Sequence, residues 1–209
     1  MGRSSGQRVD IHNNTRFSLR RLQILDVCGE SSNHPTEIAP REVLHLQNNG
    51  RRDYYGSEIV YTYHITNTPD KDEKRWILRI YSIGAYKLKN ACFAAQILWQ
   101  DPRSELDPGP AEIFGTGSSG ASGGSSERLR FWGTVFSKQT GKKMAQVSWR
   151  DTTKHHAWNP DPRNDGVDSH CPFTLKITNS QEFPEAGSSF YKIDLAIGYE
   201  DRCLSLIHI

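Results

Sequence analysis

Apolar and polar residues alternate in short runs along much of the chain, which is the pattern of half-buried β-strands. The clearest run covers residues 59–65. Its apolar face is formed by Ile59, Tyr61, Tyr63 and Ile65. β-Branched and aromatic side chains of this kind suit a pleated surface that packs on a core. The pattern therefore predicts a strand at residues 59–65.

A second alternating run covers residues 43–47, and the turn signal Asn-Asn-Gly follows it at residues 48–50. Such a turn between two alternating runs favours a β-hairpin. We therefore predict that residues 43–47 pair with residues 59–65. The loop of this hairpin would carry Arg51, Arg52, Tyr54 and Tyr55.

Further strands are predicted by similar runs elsewhere. They cover residues 9–12, 19–27, 76–81, 129–136, 144–149, 173–178 and 191–199, with residues 129–136 and 144–149 forming another hairpin. Within residues 19–27, alternation places Leu22 and Ile24 on one face and Arg21, Gln23 and Leu25 on the other. Residues 91–99 are continuously apolar and fit either a buried strand or a short helix.

No segment shows the period of a convincing amphipathic helix. About eight to ten strands separated by turn clusters predict an all-β fold, an antiparallel β-sandwich or barrel, and of these two we predict the sandwich. Residues 101–126 contain a Gly/Ser-rich tract that cannot bury enough surface to order itself, which predicts a flexible insertion. No Lys-Ser or Lys-Thr follows the tract, so a phosphate-binding loop is not favoured. Residues 30–34 and 150–171 are predicted to be polar loops.

The chain length suits one domain, which we place at residues 8–202 after a disordered tail at residues 1–7. Residues 204–209 match one reading frame of a transposon adapter used to prepare DNA libraries, and we expect them to be an artefact. Asn13-Asn14-Thr15 is both a turn signal and an Asn-x-Thr glycosylation pattern. The turn is the favoured interpretation, because glycosylation matters only in a secreted protein.

Composition excludes several classes of protein. The net charge of +2 argues against a general nucleic-acid-binding protein. No apolar run approaches the roughly 20 residues of a membrane-spanning helix. No signal peptide is visible, so we expect a cytoplasmic location, or export by a non-classical route, with action at a membrane surface. Four widely spaced cysteines favour free, mostly buried thiols, with an inter-strand disulfide as the alternative in an exported protein.

Candidate metal ligands are concentrated in one polar segment. They are His155, His156, Asp161, Asp165, Asp168, His170 and Cys171. Their spacing matches no zinc or calcium motif, so a solvated loop is favoured over a metal site. There is no Gly-x-Ser-x-Gly nucleophile elbow and no recognised catalytic cysteine context. We therefore expect a protein that is not an enzyme and needs no metal or cofactor.

Aromatic and basic loops are the remaining candidates for function. Tyr and Trp suit membrane interfaces because one end of the side chain is apolar and the other is polar. Nearby Lys and Arg would contact lipid phosphates. The candidate lipid-binding residues are Arg51, Arg52, Tyr54, Tyr55, Tyr86, Lys87, Lys89 and Trp158. The simpler alternative is that these aromatic rings pack on the sandwich and the cations confer solubility.

An ordered set of short motifs resembles the aegerolysin family over roughly residues 8–95. The motifs are Asn13-Asn14-Thr15 with Leu19 and Leu22, then Pro35-Thr36-Glu37-Ile38-Ala39-Pro40, then Gly56-Ser57-Glu58 before Tyr61 and Tyr63, then Ile77, Ile80 and Tyr81 with Gly84 and Asn90. The resemblance implies a lipid-recognising β-sandwich, with sphingolipid among its targets. It also implies a cytolysin, or the membrane-recognising component that works with a larger pore-forming partner.

Two other classes stay open at this point. One is a soluble carbohydrate- or protein-binding module without lytic activity. The other is a structural protein or an enzyme, supported only by the His/Asp segment at residues 155–171.

Overall fold

The protein is described by a computed structural model that covers residues 5–28, 30–49, 57–69, 75–84, 92–100, 142–150, 163–182 and 189–200. Within these ranges there are twelve β-strands and no helix. The strands are β1 (Ser5–Asn13), β2 (Leu19–Cys28), β3 (Glu30–Ser32), β4 (Glu37–Ile38), β5 (Val43–Asn49), β6 (Ser57–Ile65), β7 (Arg75–Gly84), β8 (Cys92–Gln100), β9 (Lys142–Arg150), β10 (Arg163–Val167), β11 (Phe173–Glu182) and β12 (Ser189–Tyr199). The predicted all-β fold is confirmed, and the ambiguous apolar run at residues 91–99 forms strand β8.

Two sheets form the predicted sandwich. One has the order β11-β12-β1-β5-β3 and the other the order β10-β9-β8-β7-β6-β2-β4. The pairings are antiparallel except for β1 and β12, which run parallel in an unbroken register from Ser5 opposite Ser189 to Asn13 opposite Ile197. The first and last strands of the described chain therefore lie side by side at the centre of the five-stranded sheet.

The predicted hairpin between residues 43–47 and 59–65 is wrong. Strand β5 pairs with β1 and β3, whereas β6 pairs with β2 and β7 in the other sheet. Leu44 and Leu46 of β5 and Tyr61 of β6 belong to one buried core, but they reach it from opposite sheets. Alternation shows which face of a strand is buried and does not specify its hydrogen-bonded neighbour.

A register shift in β2 overturns the predicted division of its side chains between two faces. Arg21 lies opposite Tyr63 and Gln23 lies opposite Thr62, so Leu22 is the extra residue of a β-bulge. Beyond the bulge, Ile24 lies opposite Tyr61. Arg21 and Ile24 consequently share the interior face, although simple alternation separates them.

Three short strands, and the beginning of a fourth strand, lie outside the strands that the sequence predicts. Strands β3 and β10 fall within the predicted polar loops at residues 30–34 and 150–171, and β4 falls between two prolines. Residues 5–7 belong to β1 rather than to a disordered tail. The short strands are held by backbone hydrogen bonds at the edges of the sheets, and residues 5–7 are held by the long parallel pairing with β12. Backbone hydrogen bonds do not require alternating apolar and polar side chains, so the sequence shows no strand pattern in these segments. The predicted insertion at residues 101–126 and the predicted strand at residues 129–136 lie outside the described residues.

The core between the sheets is apolar over most of its length. At the end where the β6–β7 connection begins, Phe173 contacts Phe17 edge-on at 6.0 Å between ring centroids and Trp76 at 5.3 Å. Tyr199 packs on Phe17 at 4.8 Å. Aromatic rings bury large areas and prefer these tilted contacts. This end of the sandwich is therefore packed with aromatic rings.

The predicted turn after β1 is confirmed, and it explains the Asn-x-Thr pattern. Asn13 is fully buried, and its side-chain nitrogen donates to the carbonyl oxygens of Phe17 at 2.7 Å and Ala39 at 2.9 Å. Its side-chain oxygen accepts a hydrogen bond from Thr15 Oγ1 at 2.7 Å. The amide that glycosylation would modify is therefore committed to the folded structure.

Candidate functional site

The predicted lipid-binding residues lie outside the described part of the chain. They are Arg51, Arg52, Tyr54 and Tyr55 in residues 50–56, Tyr86, Lys87 and Lys89 in residues 85–91, and Trp158 in residues 151–162. Their placement therefore stays a prediction. The structure does describe the strand ends to which these three segments are joined.

Those strand ends lie at one end of the seven-stranded sheet. Ser57, which begins β6, lies opposite Gly84, which ends β7, so residues 50–56 and 85–91 are joined there. Cys92, which begins β8, lies opposite Arg150, which ends β9. Residues 151–162 follow Arg150 directly. All three segments are thus tethered at one end, and we call it the loop end.

A chain of buried polar side chains lies between the sheets near the loop end. Ser82 of β7 donates to Gln7 of β1, and Asn48 Nδ2 of β5 donates to Ser82 Oγ at 2.8 Å. The Tyr61 hydroxyl donates to Asn48 Oδ1 and lies 2.6 Å from Ser31 Oγ. Satisfied buried networks of this kind hold elements in one arrangement. The loop end is therefore fixed by hydrogen bonds across the core.

Ser57 adds an unusual feature at the loop end. Its side chain is fully buried, and its hydroxyl has no hydrogen-bond partner within the described structure. A buried hydroxyl without a partner costs about 1–3 kcal/mol. The first residue of β6 is therefore a buried polar position at the loop end.

The outer face of the seven-stranded sheet carries a row of polar side chains in register. From β2 to β9 the row is Gln23, Thr62, Arg79, Gln96 and Gln146. Arg79 is only 1% exposed and its Nε donates to Thr62 Oγ1 at 3.4 Å. Gln96 Nε2 donates to Gln146 Oε1 at 2.6 Å. Apolar side chains on both sides of this row are buried as well, so the middle of this outer face is part of the packed interior; they are Val60, Tyr81 and Ala94 on one side and Ile77 and Leu98 on the other.

The outer face of the five-stranded sheet carries a linked set of charges. Asp10 and Asp194 are register partners on the parallel strands β1 and β12. His45 Nδ1 lies 2.8 Å from Asp10, and His12 Nε2 lies 3.0 Å from Asp194. Lys192 lies between the carboxylates at 3.6 Å and 3.9 Å. Each carboxylate thus already has two basic neighbours.

The described residues contain no group of three or more His, Cys, Asp or Glu side chains arranged to hold a metal ion. Of the candidate metal ligands, His155, His156 and Asp161 lie outside the described residues. Asp168 Oδ1 accepts a hydrogen bond from the backbone nitrogen of His170 at 2.9 Å, which is a local turn contact. Cys171 is buried and makes no disulfide within the described structure, as predicted for the cysteines, and its Sγ donates to Phe173 O at 3.3 Å.

A cluster that the sequence did not reveal lies where the chain crosses from β3 to β4. Arg21 Nη1 donates to the carbonyl oxygen of His34 at 2.5 Å. Tyr63 lies opposite Arg21 and is fully buried, and its hydroxyl has no partner in the described structure. Burial raises the pKa of the Tyr63 hydroxyl, and the charge of Arg21 opposes part of that rise. No sequence signal marked this cluster, because the pairing of Arg21 with Tyr63 and its contact with His34 join residues that are not neighbours in the chain.

No protein-family model matches the sequence, and no curated protein is significantly similar to it. Among the described residues, no helix is long and apolar enough to cross a membrane.

Proposed function

We propose that the protein binds membrane lipids through the loop end of the sandwich, as an aegerolysin-like protein. One observation supports this proposal most directly. The strands of the seven-stranded sheet that flank residues 50–56, 85–91 and 151–162 all begin or finish at the same end of that sheet. Loops tethered side by side on a rigid sheet can contact one flat surface together. The three segments contain every residue of the lipid-binding prediction.

The chemistry of these segments suits the interface of a bilayer. Tyr54, Tyr55, Tyr86 and Trp158 would lie at the depth of the headgroups, with their polar groups toward water. The cations Arg51, Arg52, Lys87 and Lys89 would meet lipid phosphates, and each is worth about 1 kcal/mol near an anionic surface. Binding should therefore combine an apolar component with one that weakens as salt rises.

The resemblance to aegerolysins supports a narrower form of the proposal. It implies sphingolipid among the targets, and a larger pore-forming protein as a partner in lysis. The confirmed all-β sandwich is compatible with that family. A lytic role requires the partner or self-assembly, so lipid binding and lysis are separate parts of the proposal.

Liposome sedimentation tests lipid binding directly. Vesicles with and without sphingolipid, and with neutral or anionic phospholipids, should be compared at low and physiological salt. We expect the protein to sediment with at least one composition, and the Tyr54→Ala/Tyr55→Ala variant to bind at least about tenfold more weakly with an unchanged circular dichroism spectrum. Lys176→Ala is the matched control, because Lys176 is exposed on β11 in the other sheet.

Failure to bind any composition at low salt would overturn the proposal. Binding to a glycan or protein array without liposome association would instead indicate a soluble recognition module. Mixing the protein with vesicles that contain a trapped dye separates binding from lysis, because dye release requires a pore.

A further inference from the structure

Arg21 carries a charge that nothing in the described structure neutralises. Its side chain makes one hydrogen bond among the described residues, from Nη1 to the backbone carbonyl of His34, and none of their carboxylates pairs with it. A guanidinium has five N–H donors in a planar fork that matches the oxygens of a phosphate or carboxylate. Arg21 is half-buried, so these donors are partly withdrawn from solvent. The cluster therefore has spare donors and an excess of one positive charge.

Two buried polar atoms beside Arg21 also have no hydrogen-bond partner in the described structure. One is the Tyr63 hydroxyl, on a side chain that is 0% exposed. The other is His34 Nδ1. Buried polar atoms in proteins are nearly always paired, and one left unpaired costs about 1–3 kcal/mol. One of these atoms belongs to the residue opposite Arg21 and the other to the residue whose carbonyl Arg21 contacts, which points to a group that binds between them.

The protonation of His34 further defines that group. His34 Nε2 lies 2.7 Å from the carbonyl oxygen of Ser31, and a carbonyl can only accept, so Nε2 carries the ring proton. In the neutral ring, Nδ1 is then an acceptor. The cluster therefore offers donors from Arg21 and Tyr63 and an acceptor from His34. A complementary ligand is anionic and also carries one hydroxyl.

Strand pairing and the course of the chain bring these residues together. Regular pairing from Leu19 opposite Ile65 places Arg21 opposite Tyr63 on the interior face, and a β-bulge follows directly after Arg21. The chain between β3 and β4 crosses from one sheet to the other and brings His34 to Arg21. Arg21 N also donates to Thr36 O at 2.8 Å, which fixes this crossing against β2.

We propose that Arg21, Tyr63 and His34 form a binding site for hydrogen phosphate, the singly protonated form of inorganic phosphate. Its charged oxygens accept hydrogen bonds from Arg21 and Tyr63, and its P–OH donates to His34 Nδ1. Sulfate has the same shape but carries no proton near neutral pH, so it cannot make the bond to His34. The site lies away from the loop end and does not depend on the proposed lipid binding.

Urea unfolding of the whole chain in phosphate and in sulfate tests this site. Both anions favour compact states in general, so they are compared at equal ionic strength and pH 7.5. A ligand that binds only the folded state raises stability with saturation at the site. We expect a saturable rise of the unfolding midpoint in phosphate and only the general, non-saturating effect in sulfate. A protein that phosphate and sulfate stabilise equally would contradict the proposal.

Substitutions of the three proposed ligand-binding residues test whether phosphate binds at this site. Arg21→Gln should weaken phosphate binding by about tenfold or more, and the neighbouring exposed Arg20→Gln should leave it unchanged. Tyr63→Phe removes only a hydroxyl that has no partner, so the fold should survive while phosphate affinity falls by a similar factor. His34→Gln keeps a donor toward Ser31 O and removes the Nδ1 acceptor, so it should abolish the preference for phosphate over sulfate.

Two ligands test the need for the P–OH group. Titration with phosphoethanolamine, a phosphate monoester, is compared with titration by inorganic phosphate at pH 7.5, where a monoester, with a second pKa of about 6, has lost its P–OH proton. Tighter binding of inorganic phosphate supports the bond to His34, and equal or tighter binding of phosphoethanolamine contradicts it. Binding of neither, or binding that persists unchanged in Arg21→Gln and Tyr63→Phe, overturns the proposal. Loss of liposome binding in the Tyr54→Ala/Tyr55→Ala variant has no bearing on this result.

Discussion

Asn48 of the five-stranded sheet donates a hydrogen bond to Ser82 of the seven-stranded sheet, with 2.8 Å between Asn48 Nδ2 and Ser82 Oγ. Both side chains are fully buried. The bond belongs to the polar chain that continues to Gln7 on one side and Tyr61 on the other. The two sheets are therefore held by directed bonds near the loop end and by aromatic packing at the opposite end.

Replacing Asn48 should destabilise the protein. In Asn48→Ala, the Tyr61 hydroxyl loses its acceptor and Ser82 Oγ loses a donor inside the core, which should lower the free energy of unfolding by about 1–3 kcal/mol. Urea unfolding followed by tryptophan fluorescence measures the change. Gln47→Ala, at the exposed neighbouring position, should stay within about 0.5 kcal/mol of the parent. Equal effects of the two variants would contradict a structural role for the polar chain.

The turn after β1 should depend on Asn13 and not on Asn14. Asn13→Ala removes side-chain hydrogen bonds to Phe17 O and Ala39 O and leaves these oxygens without that partner. We expect a loss of about 1–3 kcal/mol in the free energy of unfolding. Asn14 is exposed, and Asn14→Ala is the matched control with an expected change below about 0.5 kcal/mol. A similar loss in both variants would show that the turn has no specific need for Asn13.

His64 should make stability depend on pH. Partial burial, and then the nearby charges of Arg75 and Arg20, lower the pKa of His64 below its ordinary value of 6.5. The unfolded state therefore takes up a proton before the folded state does as the pH falls. The stabilising contribution is complete above pH 6.5 and is lost as the pH falls from 6.5 toward the lower folded-state pKa.

Urea midpoints measured between pH 5 and 8 test this pH dependence. The parent should lose more stability below pH 6.5 than His64→Gln does. Arg20→Gln removes one of the nearby charges and should raise the pKa of His64, which NMR titration of the imidazole measures directly. A His64 that titrates at or above 6.5 in the folded parent would contradict the prediction.

The Cys171 thiol should be protected by the fold. It is buried and lies 3.3 Å from Phe173 O, and thiol reagents require an accessible thiolate. We expect no labelling of Cys171 in native buffer and complete labelling in urea, as mapped by peptide mass spectrometry. Cys171→Ala should lower the number of thiols labelled in urea by one and leave the native number unchanged. Native labelling of Cys171 would show that this corner of the sandwich opens.

Much of the fold was predictable because alternation is a local property. The faces of β6 were assigned correctly, with Ile59, Tyr61, Tyr63 and Ile65 all buried. The partner of β5 was not, because two strands on opposite sides of one core show the same alternation as two strands of a hairpin. The candidate lipid-binding residues could be chosen from their chemistry, and the strand ends give the first reason to group them.

Two things could be decided from the sequence alone: the all-β class, through the period of its apolar residues, and the chemistry of the aromatic and basic segments. Both depend on residues close together in the chain. The tertiary structure decided which strands are neighbours, that the three segments are tethered at one end, and that Arg21 lies opposite Tyr63. These depend on pairings between residues far apart in the chain, and the pattern of apolar and polar positions carries no information about such pairings.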